Sequence, residues 1–133
     1  MEGTVFLTKQ DVLTIHENQL ALYGGLEGLR DEPGVESAIH SPKNWAAFDQ
    51  YEPDDLIPGI AAAYLFAFAS NQYFIDGNKR TAAASADVFL QLNGYELTCQ
   101  DEEVYHMTKL VANGHLAREG LIEWIRECIS PAA

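Results

Sequence analysis

An acid, an amide and two cations stand close together at the middle of the chain, in the run Asp76-Gly77-Asn78-Lys79-Arg80. Apolar, alanine-rich segments flank the run on both sides, which predicts that it lies between two buried helices. A helix that begins here offers unpaired backbone N–H groups and the positive end of its dipole to an anion. Arg80 could grip a phosphate through two parallel hydrogen bonds, and Asp76 offers the oxygen ligands that Mg²⁺ prefers. These residue types predict a nucleotide-phosphate site, with Gly77 allowing the ligand close to the backbone.

A plain turn explains the same residues differently. Aspartate, glycine and asparagine are the residues that build turns, so Asp76-Gly77-Asn78 would also serve as a simple connection between two helices. On residue types alone, both interpretations stand.

The first helix is predicted from about Lys9 to Tyr23, where apolar residues recur at helical spacing. Thr8 and Asp11 resemble a capping box at its start, with aspartate in place of glutamate. Gly24-Gly25 is expected to end it, because glycine adopts the backbone conformations that close a helix.

A short second helix is predicted to begin at Asp31-Glu32-Pro33 and to end at Pro42, since proline interrupts a helix interior. Residues 43–53 would then form the longest loop of the chain. Its three aromatic side chains are expected to pack over the core: Trp45, Phe48 and Tyr51.

The second half of the chain predicts four more helices, at about residues 54–70, 80–93, 101–114 and 117–129. The acidic cluster Asp101-Glu102-Glu103 is interpreted as a helix start, with Asp101 as its cap. Residues 95–98 form an extended link that could pair with residues 4–7. We therefore expect a compact single all-α domain over residues 1–133, with five or six helices and the motif loop between two central buried helices.

Composition narrows the classes of function. Twenty acids against eight cations give a net charge of −12, which argues against nucleic acid as a partner. The longest apolar run, residues 57–69, is too short to span a membrane, and the first residues lack the pattern of a signal peptide. Cys99 and Cys128 are not spaced like metal ligands relative to the four histidines. Two reduced thiols and one disulfide between them are both compatible with the sequence. A cytoplasmic location is the expectation.

The central run resembles the signature loop of the Fic/Doc superfamily, written roughly His-x-Phe-x-(Asp/Glu)-(Ala/Gly)-Asn-(Gly/Lys)-Arg. The chain carries it as Phe74-x-Asp76-Gly77-Asn78-Lys79-Arg80-Thr81. Other segments resemble the Doc (death-on-curing) branch of that superfamily, so the resemblance spans about residues 6–124: His16-Glu17, Gly24-Gly25 to Arg30-Asp31, Glu36-Ser37-Ala38, Pro42 and Phe89-Leu90-x-x-Asn93-Gly94-Tyr95.

The resemblance implies ATP and Mg²⁺ as cofactors. By analogy with the family, Asp76 would bind the metal, Asn78 would hold a phosphate, and Arg80 would stabilise charge on the transferring group. Position 79 is usually glycine in members that transfer AMP, whereas Lys79 is the Doc pattern and implies transfer of the γ-phosphate to a protein hydroxyl. An AMP transferase is the weaker alternative. The nucleotide-binding set implied is Phe74, Gly77, Asn78, Lys79 and Arg80.

The resemblance also implies two protein partners. Doc proteins act on a threonine of elongation factor Tu, which stops translation, and an antitoxin from the same operon neutralises them. Beside the core-covering interpretation, the aromatic residues of the predicted loop could line a groove for the target or for the antitoxin.

Gln72 departs from the family pattern, which has histidine two residues before the phenylalanine. That histidine takes the proton from the target hydroxyl, whereas a glutamine can orient the hydroxyl but has no useful basicity. General-base catalysis is typically worth ~10²–10⁴-fold, so we expect reduced or absent transfer with phosphate binding retained. The predicted catalytic set is Gln72, Asn78 and Arg80. The alternative is a catalytically silent protein of this fold that binds a nucleotide or a partner.

Four histidines and the pair Arg30-Asp31 lie outside the central run. His40, His106 and His115 have no motif context and are interpreted as surface or packing residues. His16 matches the family by position, and we predict that it supports the loop or the core. Arg30-Asp31 is left open between a helix cap with an ion pair and a lining of the site.

Overall fold

The helix α3 (Leu56–Ala69) lies at the centre of the fold, and 10 of its 14 residues are buried. In this computed structural model, which describes residues 3–48 and 51–132, α3 contacts four other helices. The elements, in chain order, are α1 (Lys9–Tyr23), α2 (Glu32–Phe48), a 3-10 turn (Pro53–Asp55), α3, α4 (Asn78–Leu92), β1 (Tyr95–Leu97), α5 (Asp101–Ala112), α6 (Arg118–Cys128) and β2 (Ile129–Pro131). Six α-helices over the described residues confirm the predicted all-α class.

Small residues let the helices around α3 approach it closely. A side chain at Gly59 would collide with the indole ring of Trp45 from α2. On the other side, Ala82 and Ala86 of α4 are buried in the same core, and the Phe89 ring meets Tyr64 at a centroid distance of 5.4 Å. As a result, α3 and α4 are packed side by side, and the loop that joins them is anchored at both ends.

The predicted bounds of α1 are confirmed. Thr8 accepts a hydrogen bond from the backbone of Asp11, and the Asp11 carboxylate accepts one from the backbone of Thr8, so both halves of the capping box form. At the other end Gly24 has a φ of 82°, a conformation that favours glycine.

The predicted end of α2 is wrong, because the helix continues through Pro42 to Phe48. A proline inside a helix removes one hydrogen bond and costs about 3 kcal/mol. Continuing the helix buries Trp45 and Ala46 on the same side as Ala38, and this burial outweighs a local penalty of that size. Residues 43–48 are therefore helical rather than loop, while residues 49 and 50 of the predicted loop lie outside the described part of the chain.

Two of the three aromatic residues cover the core as expected. The Tyr51 ring stacks on the buried Trp45 at a centroid distance of 4.7 Å, and its hydroxyl donates to the Ala46 carbonyl at 2.9 Å. Phe48 is 82% exposed, so the core-covering prediction is wrong for that residue.

The predicted strand pairing is also wrong. β1 pairs antiparallel with β2, so that Glu96 lies opposite Ser130, and the predicted last helix ends one residue early to form that strand. Residues 4–7 are held instead by the Asn93 side chain, which accepts from the Val5 N–H at 2.8 Å and donates to the Val5 carbonyl at 2.9 Å. The Leu7 N–H donates to the Tyr64 hydroxyl at 2.8 Å, so side chains supply the hydrogen bonds that a neighbouring strand would have made.

The cap of α5 is Gln100, without a side-chain hydrogen bond, so Asp101 is the first helical residue rather than the predicted cap. Within residues 3–48 and 51–132, every helix is too short or too polar to cross a membrane.

Tyr64 carries a buried polar contact that can be tested. Its hydroxyl accepts the Leu7 N–H at 2.8 Å, and the residue is fully buried. In Tyr64→Phe that N–H loses its partner, so the free energy of unfolding measured with urea should fall by about 1–3 kcal/mol. Tyr105→Phe, at an exposed position, is the control and should change the free energy of unfolding little.

The native chain and Tyr64→Phe should also differ in how their free energy of unfolding depends on pH. Burial raises the pKa of Tyr64 to about 12, above its ordinary value of 10.0. A raised folded-state pKa contributes stability below about pH 10 that is lost as the pH rises toward 12. The stability difference between the native chain and Tyr64→Phe should shrink over that range; a constant difference would contradict this account.

Candidate functional site

The loop between α3 and α4 is held by backbone pairing with the segment that joins α1 to α2. The Tyr73 carbonyl accepts the N–H groups of Arg30 at 2.7 Å and Asp31 at 3.0 Å, and the Ile75 N–H donates to the Gly28 carbonyl at 3.1 Å. These bonds make an antiparallel bridge around Phe74. Backbone hydrogen bonds alone therefore hold the loop against this segment.

Phe74 and His16 form the base of the loop. The Phe74 side chain is fully buried, and the His16 ring stacks on it at a centroid distance of 3.9 Å. His16 Nε2 lies 2.8 Å from the Asp76 carbonyl oxygen, which assigns the Nε2 proton to that hydrogen bond. His16 thus supports the loop, in agreement with its predicted role. Phe74 cannot line a nucleotide pocket through its ring, because the ring lies beneath the loop.

Asn78 fastens the loop to the first turn of α4. Its Oδ1 accepts the Phe74 N–H at 3.0 Å, and its Nδ2 donates to the Phe74 carbonyl at 2.9 Å. One N–H of Nδ2 is used in this way, and the other is the group that could donate to a phosphate. The structure therefore assigns Asn78 a structural role that is compatible with the predicted contact to an anion.

Gly77 permits the turn into α4. It has φ 76° and ψ 21°, the left-handed region, directly before the first helical residue. A Cβ built there would stand 3.3 Å from Leu20 and 3.7 Å from the His16 ring. The Thr81 N–H is bonded to the Gly77 carbonyl, so the preceding N–H groups of the first turn point out of the helix end toward the site.

Asp76 is held as a carboxylate at the edge of this helix start. Its Oδ2 accepts the Leu26 N–H at 3.2 Å, and its Oδ1 accepts the Gly77 N–H at 2.9 Å. These two backbone hydrogen bonds, with smaller contributions from the charges of Arg80 and His16, lower the pKa of Asp76 below its ordinary value. Each carboxylate oxygen keeps lone-pair capacity, so the group fits a hard divalent cation such as Mg²⁺.

Arg80 is held by the end of α1. Its Nη2 donates to the Gly24 carbonyl at 3.2 Å, and its guanidinium carbon lies 5.4 Å from the centre of the Tyr23 ring. These contacts orient the guanidinium while leaving other N–H groups for a ligand. Neither Tyr23 nor Gly24 was predicted to position Arg80.

The Gln72 side chain is hydrogen-bonded to the Arg30 guanidinium. Arg30 Nη1 donates to Gln72 Oε1 at 2.7 Å, and both side chains are exposed. The strong acceptor of the amide is therefore engaged, and its NH₂ group is the part that remains for another molecule. The neighbouring Asp31 accepts the Gly34 N–H at 2.9 Å, as a helix cap does. The two interpretations of Arg30-Asp31 therefore apply to different residues: Asp31 caps α2, and Arg30 is connected to the site through its hydrogen bond to Gln72.

A cleft of about 470 Å³ brings the predicted residues together. Gln72, Asp76 and Gly77 face it from the loop, and the first turn of α4 faces it through Asn78, Lys79 and Arg80. The α5 side contributes Tyr105 and Asn113, which no motif in the sequence indicated. A second cleft of about 650 Å³ shares Lys79, Arg80 and Tyr105 with the first and continues between α4 and α5.

The remaining histidines match their predictions. His40, His106 and His115 are all exposed, and the residues that line the 470 Å³ cleft do not include them. Among the described residues, no histidine lines that cleft in the place of the family's base.

Comparison with known proteins places these residues in a family. Residues 6–90 match the Fic/DOC family. Protein kinase doc of Escherichia phage P1 is 29% identical over 126 residues, which is 95% of this chain and 97% of that protein. Toxin Doc of Mycolicibacterium smegmatis is 35% identical over 94 residues, which is 71% of this chain and 68% of that protein. The chain therefore belongs to the Fic/DOC family, in its Doc branch.

Proposed function

We propose that this protein is a Doc-type toxin of a toxin–antitoxin system, built to transfer a phosphate from ATP–Mg²⁺ to a hydroxyl group of a protein. The observation that carries the proposal is the 470 Å³ cleft, where an ionised aspartate, a helix start and two cations face the same space. The names of the two relatives, a protein kinase and a toxin, support the same class.

The residues present suit phosphoryl transfer, which asks mainly for positioning and for stabilisation of charge. The first turn of α4 would hold the phosphates through backbone N–H groups and the free N–H of Asn78. Asp76 would hold Mg²⁺, and the ion would offset the charge of the phosphates. Arg80, already oriented by Gly24 and Tyr23, would stabilise the charge that develops on the transferring group.

Lys79 favours phosphate transfer over AMP transfer. The side chain lines both the 470 Å³ and the 650 Å³ cleft, at the position where AMP-transferring members have a glycine. A lysine there fills space and adds a point charge next to the helix start. By the same family analogy, the target would be elongation factor Tu and the neutralising partner an antitoxin from the same operon.

Gln72 limits the reaction for two reasons. An amide cannot accept the proton of a hydroxyl nucleophile, and the Gln72 oxygen is already bonded to Arg30. This second observation also favours the alternative function, a silent protein that binds ATP or a partner without turnover. A hydroxyl at this position would meet only the donating NH₂ group.

Restoring the base separates the two functions. The Gln72→His chain should arrest growth when it is expressed in bacteria. Its rate of ATP-dependent phosphorylation of a protein target should exceed that of the native chain by roughly 10²-fold or more. Asn71→His, which adds the same ring one residue away on the same cleft, is the control and should behave as the native chain. If Gln72→His neither arrests growth nor consumes ATP, the enzyme proposal fails and the silent-binder alternative gains.

The phosphate site is tested by binding alone. Arg80→Ala removes a charge-assisted contact worth about 1.5–3 kcal/mol, so the Kd for ATP–Mg²⁺ measured by calorimetry should rise roughly 10- to 100-fold. Arg118→Ala is the control, since that guanidinium lies over Phe66 on another side of the molecule. Equal affinity in the Arg80 and Arg118 variants would place the nucleotide elsewhere.

The metal site is tested through magnesium dependence. ATP binding by the native chain should strengthen with Mg²⁺, and Asp76→Asn should lose that dependence because an amide is a weaker ligand for the ion. Asp54→Asn, at an exposed position of the 3-10 turn, should keep the full magnesium effect. An unchanged magnesium effect in Asp76→Asn would contradict the assignment.

A further inference from the structure

Two cysteines far apart in the sequence meet at the C-terminal edge of the fold. Cys99 follows β1, and Cys128 is the last residue of α6, directly before β2. The antiparallel pairing of the two strands joins these positions, and the Thr98 N–H and hydroxyl both donate to the Cys128 carbonyl, at 2.7 and 3.0 Å. Both cysteines are free thiols.

A carboxylate completes the cluster. The two Sγ atoms and a carboxylate oxygen of Glu103, in the first turn of α5, all lie within 4.8 Å of one another. Trp124 Nε1 donates to Glu103 Oε1 at 3.0 Å and so fixes the orientation of the carboxylate. An outer hydrogen bond of this kind commonly orients a metal ligand in proteins.

The surroundings of the cluster differ on its two sides. Cys128 is buried, whereas Cys99 is half-buried and lines the 650 Å³ cleft, which gives an ion a path from solvent. A thiol must lose its proton to bind a metal, and the charge of a bound cation stabilises the thiolate.

We propose that Cys99, Glu103 and Cys128 bind a thiophilic divalent cation of the Zn²⁺ class, with water as the fourth ligand. Tetrahedral zinc, with Zn–S near 2.3 Å and Zn–O near 2.0 Å, separates its ligand atoms by about 3.5–3.8 Å. Ligand atoms that already lie within 4.8 Å reach this arrangement through small side-chain rotations. Binding releases two thiol protons, one for each thiolate formed, and involves no oxidation or reduction.

Such an ion would link three segments of the chain that otherwise meet only at their ends. Cys99 belongs to the link between β1 and α5, Glu103 to α5 and Cys128 to the end of α6. The site would therefore stabilise the C-terminal part of the fold. It shares no residue with the phosphate loop, so its test does not depend on the proposed function.

Cobalt tests the proposal directly, because Co²⁺ reports thiolate ligands by its absorption. The full chain, reduced with a thiol-free phosphine and stripped of metal, should bind one equivalent of Co²⁺. It should then show thiolate-to-cobalt charge-transfer absorption and the strong visible bands of a tetrahedral ion. Added Zn²⁺ should displace the cobalt, since zinc commonly binds such ligands more tightly.

Matched variants assign the ligands. Cys99→Ser and Cys128→Ser should each lose the charge-transfer absorption. Glu103→Gln keeps an acceptor for Trp124 but removes the charge, so it should weaken Co²⁺ binding roughly tenfold or more. Glu102→Gln, an exposed acid one residue away, should bind as the native chain does.

Two outcomes would overturn the proposal. One is that the reduced native chain gives no cobalt bands, while oxidised glutathione links its two thiols to each other. The pair would then be a disulfide rather than a metal site. The other is cobalt binding that survives in Glu103→Gln at full affinity and in both cysteine variants, which would place the metal elsewhere. Circular dichroism checks that each variant is folded, and the exposed Glu103→Gln keeps the test decisive where Cys128→Ser does not fold.

Discussion

The anchoring of one buried phenylalanine is the constraint on which the candidate site depends. Phe74 lies beneath the loop between the two central helices, stacked on His16, while Asn78 bonds both its N–H and its carbonyl. Backbone bonds to the segment after α1 hold the loop from the other side. A loop fixed at this many points cannot collapse into its own cleft, so the functional groups above it keep their positions without a ligand. The proposed phosphoryl transfer would require such preorganisation.

The charges of the site follow from this arrangement. The chain carries a net charge of −12, yet the start of α4 exposes Lys79 and Arg80 beside the positive end of a helix dipole. The cationic character is therefore local, and it exists next to an aspartate whose backbone hydrogen bonds keep it ionised. Opposite charges therefore stand side by side, as the proposed binding of an anion together with a divalent cation would need.

Local chemistry predicted most of the helix limits and failed where distant contacts decide. The capping box at Thr8 and the glycine after Tyr23 gave the bounds of α1 because both act within one turn. The prediction that α2 ends at Pro42 was wrong for the opposite reason. The proline has a local cost, but the burial of Trp45, which depends on contacts with distant residues, outweighs it. The pairing of β1 with β2 instead of residues 4–7 was likewise beyond local reasoning, because short strands carry little information about their partners.

By itself, the sequence determined the all-α class and the family, and it predicted the residues proposed to bind phosphate and metal, because these depend on residue types at short spacing. Tertiary structure alone decided the roles of residues that meet across long distances in the chain. It placed His16 under the loop, bonded the Gln72 oxygen to Arg30, and brought Cys99 to Cys128. The physical reason is that each of these contacts joins segments far apart in the chain that only the fold brings together, and no local periodicity or spacing records which side chains will meet.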